Sequence, residues 1–194
     1  MEIFMNTKDN QRARLTKILL KQAYISLMHQ KQAARITVKE ICESAEINRS
    51  TFYLHYAEPN DILIELEDEA IRKVSESLFA IGSSGEKPRD AEEYLLKFLR
   101  YVKVNDDLFR TFLVENSDPH FKRKLRDVAT KMITSSFSVN IPEERKELSY
   151  SFLVNGSIDA LSDWIKSSYA FSERVVGKTL YALCEGALDA VCKG

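Results

Sequence analysis

The stretch Thr37–Tyr56, TVKEICESAEINRSTFYLHY, decides the fold. Thr37 with Glu40 three residues later fits a capping box, in which each side chain satisfies the other's free backbone amide at a helix start. Val38 and Ile41 then share a face. The small Ala45 lets a second helix cross closely, and Ala45-Glu46-Ile47 has the length of the turn in a helix-turn-helix. Asn48 is a good N-cap for the next helix, which the pattern runs through His55. Ile47 plugs the turn and Phe52 returns to the same core. That leaves Asn48, Arg49, Ser50, Thr51, Tyr53 and His55 facing outward. A polar helix of this kind fits the major groove of double-stranded DNA, where residues near its N-terminus meet base edges.

Outward from this segment, apolar residues recur at helical spacing and no stretch alternates with period two. Nine helices are predicted. Thr7 caps the first, which presents Leu15, Ile18, Leu19, Ala23 and Leu27 on one face. The fourth runs from near Asn60 to Ile81, followed by a loop at Gly82-Ser-Ser-Gly85-Glu-Lys-Pro88. The fifth and sixth cover Asp90–Val104 and Asp106–Glu115. Asp118-Pro119 and Ile141-Pro142-Glu143 open the seventh and eighth with proline at its favoured first position. Ser172 caps the ninth, which runs toward Val191. The fold class is therefore all-α, with a three-helix helix-turn-helix domain at residues 1–58 and a helical domain at 59–194.

Hydrophobic residues make up 44% and charged residues 29% of the 194, which suits a globular protein that needs no disulfides or metals to build a core. Nine Lys/Arg face six Asp/Glu in residues 1–60, against nineteen and twenty-three in the remainder, so a basic N-terminal part precedes a mildly acidic body. The polar Met1–Asn10 lacks a signal-peptide core, and no apolar run approaches the ~20 residues of a membrane span, so cytoplasmic residence is expected. Cys42, Cys184 and Cys192 have no metal or redox spacing and read as small buried hydrophobes.

An enzyme is not expected. The glycines form neither GxGxxG nor a P-loop. His29, His55 and His120 are scattered, and no Ser, Cys or Lys sits in a nucleophile setting. Glu92-Glu93 and Glu143-Glu144 fall in first helical turns, where the helix dipole accounts for them. No cofactor and no metal site is predicted.

The run A-E-I-N-R-S-T-F-Y-L-H-Y, preceded by T-V-K-E-I-C, resembles the DNA-binding domain of TetR/AcrR regulators. There the stretch usually reads A-G-V-S-x-x-T-F-Y-x-H-F, then S-K-E-x-L. The resemblance covers roughly Gln11–Leu66. It implies phosphate contacts from Thr37, at a helix N-terminus, and from Asn48, Tyr53, His55 and Tyr56. It implies base reading by Arg49, Ser50 and Thr51, with Arg49 able to grip guanine bidentately. Two departures stand out: Glu46 replaces the turn glycine, and Asn60 stands where the family places a phosphate-binding lysine.

The same resemblance implies an effector site and a homodimer interface in residues 59–194. Helix eight carries one stripe of Tyr150, Leu153, Ala160 and Trp164, an adjoining one of Val154, Ile158, Leu161 and Ile165, and Leu148 and Phe152 on the far side. A helix so widely apolar needs more than one partner. With Val176, Leu180, Leu183, Ala187 and Val191 of helix nine it would pair with its copy, Gly156 permitting close approach, and a two-fold dimer would read a near-palindromic operator. A pocket among helices four to eight would draw on Tyr101, Phe109, Phe112, Phe137 and Phe152, with Asn155 or His120 as polar handles, although aromatics at helical spacing are more often plain core. The segment Phe152–Leu183 loosely resembles the regulator subgroup of the dihydroxyacetone-kinase activator. That keeps open an alternative in which the chain is an interaction module or co-activator and the effector is a protein partner.

Overall fold

The structure is a computed structural model that describes residues 2–79, 91–116, 118–137 and 141–193. The described residues are all-helical: α1 (Glu2–Met28), α2 (Val38–Ala45), α3 (Arg49–Tyr53), α4 (Pro59–Phe79), α5 (Ala91–Val104), α6 (Asp106–Arg110), α7 (Pro119–Ser136), α8 (Glu143–Lys166) and α9 (Glu173–Lys193). A 3-10 turn at Ala33–Arg35 precedes α2, and a π-type turn at Thr111–Glu115 follows α6. The loop expected at 82–88, the end of helix four at Ile81 and the start of helix five at Asp90 lie outside the described residues. The chain divides into two compact units, Met1–Glu69 and Ala70–Gly194, with the boundary inside α4.

In the first unit α1 packs on α2 and α2 on α3. The buried face of α1 is Leu20, Ala23, Tyr24 and Met28. This corrects the expected face, since Leu15, Ile18 and Leu19 are exposed and only Ala23 is shared. The helix also begins at Glu2, so Thr7 lies within it and not at its cap.

In the second unit α5 lies along α9, and α8 packs against α6, α7 and α9. A Cβ on Gly177 of α9 would meet Leu96 Cδ2 at 3.1 Å, so glycine there permits the close α5–α9 approach. Asp118 caps α7, accepting from the amides of His120 (2.8 Å) and Phe121 (3.1 Å), with Pro119 in the first turn as expected. Pro142 differs: it occupies the N-cap of α8 and not the first helical position. Ser172 Oγ accepts from Val175 N–H at the start of α9, which runs on to Lys193.

The expected sixth helix breaks after Arg110, where the π-type turn buries Phe112 and Leu113 together. Phe109 meets Phe98, Tyr101 and Phe121 edge-on, and Phe112 stacks on Phe121 at 4.6 Å between centroids. Such pairs add to burial. They make this group packed core, the reading its helical spacing favours over a pocket wall. On α8 both apolar stripes turn inward, burying Leu153, Val154, Ile158, Leu161, Trp164 and Ile165. Leu148 and Phe152 are 76% and 73% exposed. Cys42 and Cys184 are buried, but Cys192 is exposed, contrary to expectation.

Candidate nucleic-acid interface

The site is built from the end of α2 to the end of α3. The capping box is present: Thr37 Oγ1 accepts from Glu40 N–H, and Glu40 Oε2 accepts from Thr37 N–H at 3.0 Å and from its hydroxyl at 2.7 Å. Lys31 Nζ lies 2.5 Å from the other carboxylate oxygen. The hydrogen bond from Lys31, then those from Thr37, hold the Glu40 carboxyl down at about 2. The start of α2 thus carries its own anion.

The turn after α2 closes as a Schellman motif. Ile47 N–H donates to the Cys42 carbonyl at 2.9 Å and Glu46 N–H to that of Glu43 at 3.4 Å. Glu46 sits between them at φ 54°, ψ 39°, in the left-handed region that favours glycine. The turn therefore has the conformation a glycine would adopt, with a carboxylate added at its surface.

Asn48 occupies the N-cap of α3, where its carbonyl accepts from the amides of Thr51 and Phe52, while its side chain makes no capping bond. The helix ends at Tyr53, two residues short of His55. Phe52 is wholly buried and anchors it, with Tyr53 edge-on at 5.4 Å. Around this anchor Arg49 and Ser50 are exposed, Thr51 and His55 half-buried, and Tyr53 59% exposed. Asn48, Arg49, Ser50 and Tyr53 are thus open to solvent around the buried Phe52, with Thr51 and His55 partly covered.

Tyr56 is placed otherwise. It is 5% exposed, and its hydroxyl is shut off from solvent. Burial, and then the neighbouring Glu65, push its pKa well above the usual tyrosine range. Lys17 Nζ lies 5.1 Å over its ring, within cation–π range. Tyr56 is a core residue in this structure, which corrects its expected phosphate contact.

Lys17 and Lys21 grip Glu65 at 2.9 and 2.8 Å, and Lys21 also reaches Glu69. Burial would raise the Glu65 carboxyl, but hydrogen bonds from Lys21 and Lys17 outweigh it and hold the group at about 2. These lysines tie α1 to α4. Among the described residues of this unit, Arg12, Arg14, Arg35 and Arg49 are exposed cations outside the ion pairs. Arg35, two residues before Thr37, and Leu54, which follows Tyr53, are also open to solvent, and neither stands out in the sequence. Asp61 accepts from the amides of Ala57 (2.8 Å) and Glu58 (3.0 Å), so the start of α4 is self-capped beside the neutral, exposed Asn60. No group of three His, Cys, Asp or Glu among the described residues is placed to hold a metal ion. No helix among them is long and apolar enough to cross a membrane.

A buried aromatic anchor holding a short polar helix outward, after a tight turn from a capped helix, defines a helix-turn-helix. A TetR family model described as "Transcriptional regulator C-terminal region" matches residues 89–186, just over half of the chain. The protein belongs to the TetR/AcrR family of transcriptional regulators. Solved structures agree on the fold. A TetR transcriptional regulator from Streptococcus agalactiae is 24% identical, with a TM-score of 0.68 over 92% of this chain and 98% of that one. NalD, described as the secondary repressor of the MexAB-OprM multidrug efflux pump in Pseudomonas aeruginosa, is 13% identical, with a TM-score of 0.66 over 92% and 98%. The dihydroxyacetone kinase operon activator DhaS is 15% identical, with a TM-score of 0.61 over 91% and 97%. No curated protein sequence matches the chain.

Proposed function

We propose that the protein is a cytoplasmic homodimeric repressor that reads a near-palindromic operator through Asn48–His55, its DNA affinity set by an effector in the second unit. The observation that carries this reading is the outward surface around the buried Phe52. Arg49 stands at the N-terminus of α3 with no ion-pair partner among the described residues. In that setting Arg49, Ser50 and Thr51 read base edges. Thr37, Asn48, Tyr53 and His55 contact phosphates and fix register, with Arg35 as an added cation. Domain assignment follows: residues 1–58 bind DNA, and 59–194 dimerise and take the effector.

The dimer reading is supported by the outer surface of α8 and α9. Arg145 reaches the Val191 carbonyl at 3.3 Å, and Ser157 lies 3.9 Å from Cys184, so the two helices run antiparallel. Exposed Leu148 and Phe152 of α8 therefore neighbour the C-terminal half of α9, where Leu183 is 63% exposed. A Cβ on Gly156 or Gly186 would meet nothing within 4 Å, leaving room for a second copy to approach closely.

The test is fluorescence anisotropy with DNA from the region upstream of the protein's own gene, at two salt concentrations. The expected result is selective, salt-sensitive binding that an Arg49→Ala/Tyr53→Ala variant loses. Equal binding by the variant would overturn the assignment of α3.

A further inference from the structure

We infer that the cavity enclosed by α5, α7, α8 and α9 is the effector site and that its ligand is small, uncharged and apolar. This rests on the reading that the second unit takes an effector.

The cavity is bounded by Leu95 and Phe98 of α5, Ala129 and Met132 of α7, Ile158 of α8 and Cys184 of α9, among others. Of the aromatics expected to line a pocket, only Phe137 does so. Among the described residues no charged side chain borders it. Three polar side chains stand at its wall: Ser157 Oγ and Cys184 Sγ lie 3.9 Å apart, and the Tyr181 hydroxyl donates to Glu185 at 3.4 Å. Burial raises the Cys184 thiol, so it stays protonated. A carboxylate or ammonium entering here would shed its water and meet no counter-charge. An apolar group would lose nothing and would fill a hole that protein interiors rarely leave open.

Size narrows the class further. The cavity holds about 80 Å³. An engineered apolar cavity of about 150 Å³ takes up benzene. The space therefore suits a short alkyl chain, and a six-membered ring once the flexible Met132 turns aside.

The protein offers its own reporter. It has four methionines. Met132 lines the cavity, whereas Met28 is buried in the first unit. Full-length protein labelled at methionine methyl carbons is titrated by NMR with benzene, 1-pentanol and pentanoate. The expected result is a saturable shift of Met132 with benzene and pentanol, Met28 unmoved, and no Met132 shift with pentanoate at the same concentration. Ala129→Phe is expected to abolish the shift; Cys184→Leu fills the cavity from the opposite wall should that variant fail to fold. A Met132 signal unmoved by both neutral probes, moved equally by pentanoate, or still moving in a folded filled variant would overturn the inference. Operator binding measured on the same sample separates the two claims: intact DNA binding without benzene uptake defeats the cavity alone.

Discussion

Replacing Glu46 by glycine is expected to stabilise the protein, an unusual direction for a point substitution. Glu46 is held at φ 54°, ψ 39° by the paired hydrogen bonds from its own amide and that of Ile47. A left-handed residue with a Cβ costs about 1–2 kcal/mol. Glycine removes that cost but adds unfolded-chain entropy of about 0.5–1 kcal/mol. Taken mid-range the net gain is about 0.7 kcal/mol, which for a chain of this size raises Tm by about 1–3 °C. Glu46→Ala separates the two causes, because it removes the carboxylate and keeps the strain. Thermal unfolding followed by circular dichroism on all three proteins should rank glycine above alanine. Both variants should bind DNA more tightly than the parent if the carboxylate lies close enough to repel phosphates. A glycine variant no more stable than the alanine variant would refute the strain argument.

Phe52→Ala removes the fully buried anchor of α3 and is expected to cost about 3–5 kcal/mol, read as a lower urea midpoint and lost operator binding. Glu65→Gln breaks the ion pairs to Lys17 and Lys21. Because the folded carboxyl titrates at about 2 against an ordinary 4.5, its contribution is present above about 4.5 and disappears as pH falls toward 2. The variant should be less stable at neutral pH and lose less stability than the parent between pH 5 and 2 in acid titrations. Phe152→Asp places a charge on the exposed α8 surface and should shift sedimentation toward the monomer while leaving the helical signal intact; an unchanged dimer would move the interface elsewhere.

Local grammar made much of this legible in the sequence. Thr37 with Glu40, Asn48, Asp118-Pro119 and Ser172 mark helix starts through bonds their own side chains or carbonyls make, so neighbours in the chain suffice to read them. Phe52 was legible because its ring, unlike those of Tyr53 and His55, carries no polar group to hold it at the surface. The face of α1 was not, since its apolar residues fall on several sides and only tertiary packing selects Leu20, Tyr24 and Met28 over Leu15, Ile18 and Leu19. Tyr56 has an apolar ring and a polar tip, and only the fold decides which is served. The cavity's lining was not legible for the converse reason: Tyr101 and Phe109 pack edge-to-face in the core, and the space opens among residues of four helices that share no spacing signature.

The most direct test of the account is selection of genomic DNA fragments by the purified protein and by its Arg49→Ala/Tyr53→Ala variant, with the bound fragments sequenced. The account predicts that the parent enriches sites sharing an inverted repeat and that the variant enriches none. Enrichment of the same sites by both proteins, or of sites without two-fold symmetry, would contradict it.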